Sequence, residues 1–226
     1  MREIAGLSDR KALYIYDKDR IFLGGDQSWF GKERLKKSGC GIIAAANIFI
    51  QLSAKPYFSR LYEKNEGKTG KEEYIRFMEK LSLFIKPFYF LGISFGIWNS
   101  FALIRGIKKY AKTQNLRLRF EKRYPRQNYE KTRNWLIGNL NEERPLFILI
   151  GLSTRFFNTK VSYIGGGEVS GQNLALHWMS VRALLCDDAG EEYLEVLTWG
   201  GLARIRFKDW QKGFWPQALF CMKEST

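Results

Sequence analysis

The sequence predicts an α+β fold in which a helical N-terminal half, including a helix that starts at a cysteine, packs against a twisted, mainly antiparallel sheet. Helix-like hydrophobic patterns dominate residues 40–140, whereas strand-like patterns dominate residues 145–207. Segregation of this kind is typical of α+β domains, because parallel sheets need strands and helices in alternation. With 226 residues and 45% hydrophobic content the chain can bury one core of ordinary size, so we expect a single domain over residues 1–226.

Four segments carry the pattern of helices. A core helix begins beside Cys40, because apolar residues recur from there at near-helical spacing, and it ends before Pro56. The third helix follows Asn99, a residue type that caps helix N-termini. In chain order, the predicted helices run from Cys40 to before Pro56, over residues 71–83, from Asn99 to near Asn115, and over about 129–140. The charged run 32–37 is expected to be an exposed loop.

Six segments have the character of strands. Residues 145–151 are continuously apolar and of strand length, which indicates a central strand. Residues 116–120 alternate between apolar and basic, which places Arg117 and Arg119 outward. The glycine-rich segment 165–171 is expected to be a flexible connector. The predicted strands cover residues 21–25, 116–120, 145–151, 175–185, 193–198 and 203–207.

The segment from Pro87 to Ile104 contains eighteen residues without a charge. Its length only just reaches the minimum for a membrane-spanning helix, and prolines, glycines and a helix start at Asn99 interrupt it. We therefore favour a buried loop followed by a core helix over a membrane span.

Cysteine usage and the N-terminal composition indicate a reducing compartment. Cys40, Cys186 and Cys221 are odd in number and far apart, which argues against a disulfide framework and against a structural zinc site. The first twenty residues contain no sustained apolar stretch and so show no secretory signal. We expect a cytoplasmic protein with no metal or other cofactor.

The net charge of +14 is concentrated in one part of the chain. Residues 105–133 hold eleven basic residues against two acidic ones. Such a segment can attract an anionic partner, whether nucleic acid, anionic lipid or an acidic peptide, or it can simply solvate a surface. No nucleic-acid recognition motif accompanies the charge.

The residues Gly39-Cys40-Gly41 place a thiol at the start of the core helix. Unpaired N–H groups and the dipole at a helix N-terminus stabilise a thiolate, so the pKa of Cys40 is expected to fall. Gly39 and Gly41 carry no side chains, so the backbone of a substrate can approach the sulfur. The alternative is an inert, buried cysteine in an apolar helix.

His177 is the only histidine of the chain and stands in an apolar run. Strand alternation places it on one face with Met179 and Val181, while Trp178 and Ser180 face the other way. A histidine in such a position is either a hydrogen-bonded core residue or a catalytic base at a cleft wall, with its pKa adjusted by partial burial. If it meets Cys40, the two make the nucleophile and base of a cysteine hydrolase.

Four short motifs occur in an order that resembles the papain-like cysteine peptidases, most closely the bacterial branch related to double-glycine leader peptidases. The motifs are Gln27, Gly39-Cys40-Gly41, His177-Trp178 and Thr198-Trp199-Gly200. The resemblance implies that Cys40 is the nucleophile and His177 the general base and acid. It also implies that Gln27, with the backbone N–H of Cys40, forms an oxyanion hole. Trp199 would lie against the residue that orients His177 and shield that contact from water.

The sequence departs from the papain-like pattern at two places. Gln27 lies thirteen residues before Cys40, whereas about half a dozen are usual in that superfamily. Leu197 occupies the position of the asparagine that orients the histidine, and Thr198 is the nearest substitute. The expected function is a cysteine peptidase or amidase acting on a peptide or protein, with transfer of the acyl group to an amine as a variant. The alternative is a weak or inactive papain-like module that binds a peptide or an anionic partner.

Overall fold

The structure is a computed structural model that describes residues 1–9, 11–63, 68–91, 93–213 and 215–225. The helices are α1 (Glu33–Ser38), α2 (Cys40–Leu52), α3 (Lys71–Ser82), α4 (Ser100–Thr113), α5 (Tyr129–Asn141) and α6 (Phe207–Gln211). The strands are β1 (Arg2–Gly6), β2 (Tyr14–Asp17), β3 (Arg20–Leu23), β4 (Thr69–Gly70), β5 (Phe88–Phe90), β6 (Ile93–Gly96), β7 (Leu118–Arg123), β8 (Leu146–Leu149), β9 (Thr159–Ser162), β10 (Glu168–Gln172), β11 (Trp178–Cys186), β12 (Glu192–Thr198), β13 (Gly201–Arg206) and β14 (Ala218–Glu224).

A large antiparallel sheet organises the C-terminal half. Its strands follow the order β10-β9-β13-β12-β11-β8-β14-β7, and β1 also pairs with β11. The pairings recorded in this sheet are all antiparallel. The predicted α+β class and the mainly antiparallel sheet are therefore confirmed.

The middle strands of the sheet are covered on both faces. Phe147 and Leu149 of β8 pack with α2 on one face, whereas Leu146 and Ile148 pack with α5 and α6 on the other. This explains why β8 is a continuous apolar run, since a strand covered on both faces has no solvent side. Because β8 lies between β11 and β14, the prediction of a central strand is confirmed.

The charged run before Cys40 was predicted as a loop, and this prediction is wrong. The run forms α1, in which Leu35 and Ser38 are buried while the basic side chains lie mainly outside. Lys36 Nζ lies 2.6 Å from Glu33 Oε1, one helical turn away. The helix buries so few side chains that the charges dominate its sequence pattern.

The uncharged segment after Pro87 does not form the predicted buried loop. Residues Phe88–Phe90 and Ile93–Gly96 pair as a two-stranded hairpin with several exposed aromatic side chains. The helix after it agrees with the prediction, because Asn99 Oδ1 accepts a hydrogen bond from the N–H of Ala102 at 2.8 Å. Among the described residues, no helix is long and apolar enough to cross a membrane.

The glycine-rich segment 165–171 is only partly the connector that was predicted. Gly165 and Gly166 have φ values of 93° and 96° and form the turn between β9 and β10. The second half of the segment belongs to β10, which pairs with β9. The glycines supply a backbone conformation that other residues rarely adopt.

Candidate active site

The motifs that were singled out in the sequence converge on one small cavity. Its volume is about 10 Å³, which is room for about one water molecule. The residues that line it are Gln27, Cys40, Ile43, Ala44, His177, Trp178, Leu197, Thr198 and Trp199. Helix α2 forms one wall, and the neighbouring strands β11 and β12 form the other.

Cys40 is the first residue of α2, and Gly39 joins that helix to α1. Packing explains both flanking glycines. A Cβ on Gly39 would lie 2.4 Å from the ring of Phe30, and a Cβ on Gly41 would lie 2.7 Å from Ile97 Cδ1. The space beside each glycine is thus filled by a side chain of this protein.

The electrostatic environment of Cys40 differs from the sequence-based expectation. Burial raises the pKa of the thiol, although the backbone N–H groups of Trp178, Gly41 and Cys40 itself act in the opposite direction. Cys40 is only 8% exposed, so the loss of solvation outweighs the stabilisation at the helix end. The predicted fall of the pKa is wrong for this closed arrangement.

His177 lies immediately before β11 rather than within it. Its backbone carbonyl accepts a hydrogen bond from the N–H of Ile150 at 3.1 Å, which aligns it with the end of β8. The preceding residue, Leu176, has a φ of 54°, in the left-handed region that most side chains avoid. Such a conformation persists only where the surrounding structure holds it, and here it sets the direction in which the imidazole leaves the chain.

Two residues at the end of β12 contact the imidazole of His177. Thr198 Oγ1 lies 2.7 Å from His177 Nε2, and Trp199 stacks on the ring with a centroid distance of 4.4 Å and an interplanar angle of 26°. Trp199 also has a left-handed φ, of 47°. The chain therefore places Thr198 on the ring nitrogen, while Leu197 contributes only an apolar wall to the cavity.

Burial also determines the protonation of His177. It lowers the pKa of the imidazole from its ordinary 6.5 to about 3, and the residue is 8% exposed. The ring is therefore neutral near pH 7. When Nε2–H donates to Thr198 Oγ1, the lone pair of the neutral ring lies on Nδ1. That nitrogen is the one left to accept a proton.

Gln27 reaches the same cavity from a short 3₁₀ turn, Gln27–Trp29, that follows the first hairpin. Its Oε1 is buried and has no hydrogen-bond partner among the described residues. Backbone hydrogen bonds fix the segment that leads into the turn, because Gly200 N–H donates to Gly25 O at 3.1 Å and Leu23 N–H donates to Gly200 O at 2.9 Å. The side-chain amide of Gln27 thus lines the cavity with bonding capacity left unused.

The long spacing between Gln27 and Cys40 does not separate them. The additional residues form α1, which folds back so that Gly39 lies against the ring of Phe30. The chain between positions 30 and 39 therefore leaves and returns to almost the same place. An insertion in this form keeps both ends of the segment beside the cavity.

Sequence reasoning missed a buried polar residue that supports the Gln27 turn. Asn47, which is 1% exposed and lies on α2, accepts hydrogen bonds on Oδ1 from Gly25 N–H at 3.0 Å and from Tyr74 Oη–H at 2.8 Å. An amide within the apolar run of α2 was the available signal, because buried amides in cores usually have a specific partner. The bond ties the helix of Cys40 to the turn that carries Gln27.

Sequence reasoning also missed how the cavity connects to the β5–β6 hairpin. Trp178 Nε1–H donates to the carbonyl of Ile97, just after the hairpin, and Trp178 is 2% exposed. The residue after His177 is therefore anchored to the chain segment that follows β6.

No protein-family model and no curated protein sequence matches this chain. In the described part of the chain, no three His, Cys, Asp or Glu side chains are grouped so that they could hold a metal ion.

Proposed function

We propose that this chain is a papain-like cysteine hydrolase that cleaves a peptide or amide bond with Cys40 and His177. The observation that supports this most directly is the shared cavity, which the only histidine lines together with Cys40, Gln27 and Thr198. A nucleophile, a base, a residue that orients the base and an amide donor are the groups that acyl transfer through a thiol requires.

The residues have distinct roles in the proposed reaction. His177 Nδ1 takes the thiol proton while the sulfur of Cys40 attacks the carbonyl carbon, and the electron pair of the C=O bond moves to oxygen. The Cys40 N–H and the amide NH₂ of Gln27 bind this oxyanion. As the C–N bond breaks, the imidazolium gives its proton to the leaving amine, and a thioester remains. Water then attacks the thioester carbonyl while His177 takes one of its protons, the C–S bond breaks to release the carboxylic acid, and the imidazolium returns its proton to the sulfur.

Thr198 takes the place of the usual orienting amide. Its hydroxyl lies at hydrogen-bond distance from His177 Nε2, and in the tautomer in which Nε2–H donates to Thr198 Oγ1 the lone pair lies on Nδ1. Stacking of Trp199 on the ring restricts rotation of the imidazole and keeps water from one of its faces. A hydroxyl and an aromatic ring can together supply orientation without the missing asparagine.

Catalysis requires the cavity to open. At about 10 Å³ it does not admit a peptide, and burial keeps both the thiol and the imidazole in their neutral forms. Entry of water or substrate between α2 and β11 would remove the desolvation that raises the pKa of Cys40 and lowers that of His177. The helix end would then favour the thiolate, so proton transfer would accompany opening.

A second candidate is a papain-like module that binds a peptide or an anionic partner without catalysis. The raised pKa of Cys40 and the apolar Leu197 at the orienting position favour this candidate. The two candidates differ in whether Cys40 becomes a thiolate that His177 stabilises.

Alkylation with iodoacetamide, followed at each cysteine by peptide mass spectrometry, tests the proposal. If the dyad is active, Cys40 reacts at about pH 6, where an ordinary thiol is almost fully protonated. We expect His177→Asn to slow that reaction by about tenfold or more. The half-buried Cys186 serves as the reference thiol, and Cys221 serves as the unreactive control because burial raises its pKa to about 12.

Acylation by p-nitrophenyl acetate tests the oxyanion role of Gln27. Release of p-nitrophenolate is expected to disappear in Cys40→Ala and to fall by about 10²-fold in Gln27→Ala. Ser28→Ala, an exposed change in the same turn, is the matched control and should retain the rate of the unaltered protein. If Cys40 is alkylated no faster than Cys186 at every pH and His177→Asn changes nothing, the hydrolase proposal is overturned in favour of the binding module.

A further inference from the structure

The β5–β6 hairpin, the start of α4 and the segment before β14 expose seven large apolar side chains. We call this set the aromatic surface; it comprises Phe88, Phe90, Leu91, Phe95, Trp98, Phe101 and Trp215. Phe88 and Phe95 are in ring contact across the hairpin at 5.9 Å, and Trp98 contacts Trp215 at 5.2 Å. Contiguous exposed apolar residues of this kind usually mark an interaction site.

The opposite side of the hairpin explains why these side chains face outward. Tyr89, between Phe88 and Phe90, points towards α1, where its hydroxyl lies 2.6 Å from Ser38 Oγ and donates to Arg34 O at 3.0 Å. Because side chains alternate along a strand, Phe88 and Phe90 lie on the other side. The hairpin is thus fixed to the body of the protein by its polar side and presents its apolar side to solvent.

Leu91, at the tip of the hairpin, is 84% exposed. The aromatic surface therefore includes a protruding tip. A protruding apolar tip can insert into the acyl-chain region of a lipid bilayer, whereas a groove binds a helix or an extended peptide.

Along the chain, the charge that flanks the hairpin and the start of α4 has one sign. The 41 residues from Lys80 to Phe120 contain eight Lys and Arg and no Asp or Glu. The exposed Lys86 precedes Phe88, and Arg105 lies one helical turn after Phe101 on the same face of α4. The eight basic residues are Lys80, Lys86, Arg105, Lys108, Lys109, Lys112, Arg117 and Arg119.

We propose that the aromatic surface inserts into the interface of an anionic lipid bilayer, with the adjacent Lys86 and Arg105 held against the lipid headgroups. Tryptophan and phenylalanine favour the boundary between headgroups and acyl chains, and Lys and Arg near it attract anionic lipid. Docking of a second copy would bring two sets of like charges together, which is unfavourable. The insertion depends on no step of the proposed chemistry at Cys40.

Flotation with lipid vesicles tests the proposal. We expect the protein to float with vesicles that contain phosphatidylglycerol and to remain unbound with phosphatidylcholine alone, with a blue shift of tryptophan emission on binding. Phe90→Ser combined with Leu91→Ser should weaken partitioning by about tenfold or more, because both side chains enter the apolar layer. Arg105→Gln should weaken it by about fivefold and make it less sensitive to salt.

A matched control separates this surface from exposed apolar residues elsewhere. Leu152→Ser combined with Val169→Ser removes two exposed side chains outside the aromatic surface and should leave partitioning unchanged. Thermal unfolding of each variant shows whether it is folded, and a loss of flotation counts only for a folded variant. If the folded Phe90→Ser, Leu91→Ser variant floats with the anionic vesicles as well as the unaltered protein does, the proposal is overturned. The proposal is also overturned if the protein does not float with any vesicles and instead self-associates in a way that Phe90→Ser with Leu91→Ser abolishes. That result would assign the surface to a second copy of the chain.

Discussion

The cavity of Cys40 and His177 and the aromatic surface of the hairpin reverse the usual distribution of side chains in opposite ways. In the cavity, an ionisable pair is 8% exposed and is held neutral by its surroundings. On the aromatic surface, Leu91 and several aromatic rings face water. Neither arrangement helps the protein to fold, because burying ionisable groups and exposing large apolar groups are both unfavourable. Function is expected where a protein departs from the usual distribution of side chains. Substitutions in the cavity should therefore change stability, and substitutions on the aromatic surface should change binding.

The two regions meet at Ile97. Its carbonyl accepts the hydrogen bond from Trp178 Nε1, and its side chain fills the space beside Gly41. Substitutions on the cavity side of this contact should lower the free energy of unfolding strongly, whereas substitutions on the hairpin side should lower it little.

The largest effect is expected from protonation of His177. Because burial lowers its pKa from 6.5 to about 3, the unfolded state binds this proton at a higher pH than the folded state does. The contribution to stability is complete above about pH 6.5 and is lost as the pH falls towards 3, by about 5 kcal/mol in total. Between pH 7 and pH 5 the loss should be about 2 kcal/mol.

Urea unfolding of the unaltered protein and of His177→Gln across this range measures the effect. Since His177 is the only histidine, the variant removes every imidazole while leaving the carboxylates in place. The stability of the unaltered protein should decrease relative to that of the variant as the pH falls. Parallel curves between pH 7 and pH 5 would show that the ring is solvated and that the cavity is open in solution.

Two tryptophans, one from each region, differ widely in exposure. Trp178 is 2% exposed beside Cys40, whereas Trp215 is 68% exposed on the aromatic surface. We expect Trp178→Ala to lower the free energy of unfolding by about 3–5 kcal/mol, because it leaves a cavity and an unpaired carbonyl on Ile97. Trp215→Ala should lower it by less than about 1 kcal/mol. If urea unfolding gives equal losses of unfolding free energy for the two variants, Trp215 is packed against other residues of the protein and is not part of an exposed surface.

The sequence predicted the members of the cavity better than their environment. The start of α2 at Cys40 follows from helical spacing, and the strand that begins after His177 and the strand that ends at Thr198 follow from alternation and apolar runs. The pKa of Cys40 could not be predicted, because it depends on how deeply residues from distant parts of the chain bury the thiol. The sequence shows Asn47 as a polar residue in an apolar helix, but only the fold shows that its partner is Gly25.

The hairpin shows the opposite limit of sequence reasoning. An uncharged run is normally buried, so residues 87–98 were predicted to form a buried loop. Their pattern does not reveal that Tyr89 anchors β5 to α1 through its hydroxyl while Phe88 and Phe90 face outward. Helix α1 was missed for a related reason, because only Leu35 and Ser38 in it are buried.

A smaller effect is expected from the bond that orients His177. Thr198→Val keeps the shape of the side chain and removes the hydroxyl, which leaves His177 Nε2 buried without its partner. The expected loss is about 1–3 kcal/mol in the free energy of unfolding. Thr113→Val is the control, since Thr113 is an exposed residue at the end of α4 whose hydroxyl donates to Tyr110 O and accepts from Gln114 Nε2–H, and the variant should lose less than about 1 kcal/mol. Losses of the same size in both variants would show that Thr198 contributes no more than an exposed hydroxyl does.

The smallest effect should be confined to the hairpin. Tyr89→Phe removes the phenol that contacts Ser38 and Arg34 O, and we expect it to lower global stability by only about 0.5–1.5 kcal/mol. A two-stranded hairpin has little stability of its own, so the amides of β5 and β6 should exchange hydrogen faster while those of β11 do not. Tyr57→Phe provides the control, because it removes a similar bond to Arg117 O far along the chain and should leave exchange in the hairpin unchanged. If Tyr89→Phe leaves hairpin exchange unchanged as well, the hairpin is held by its aromatic side, and the assignment of that side to an external partner loses its basis.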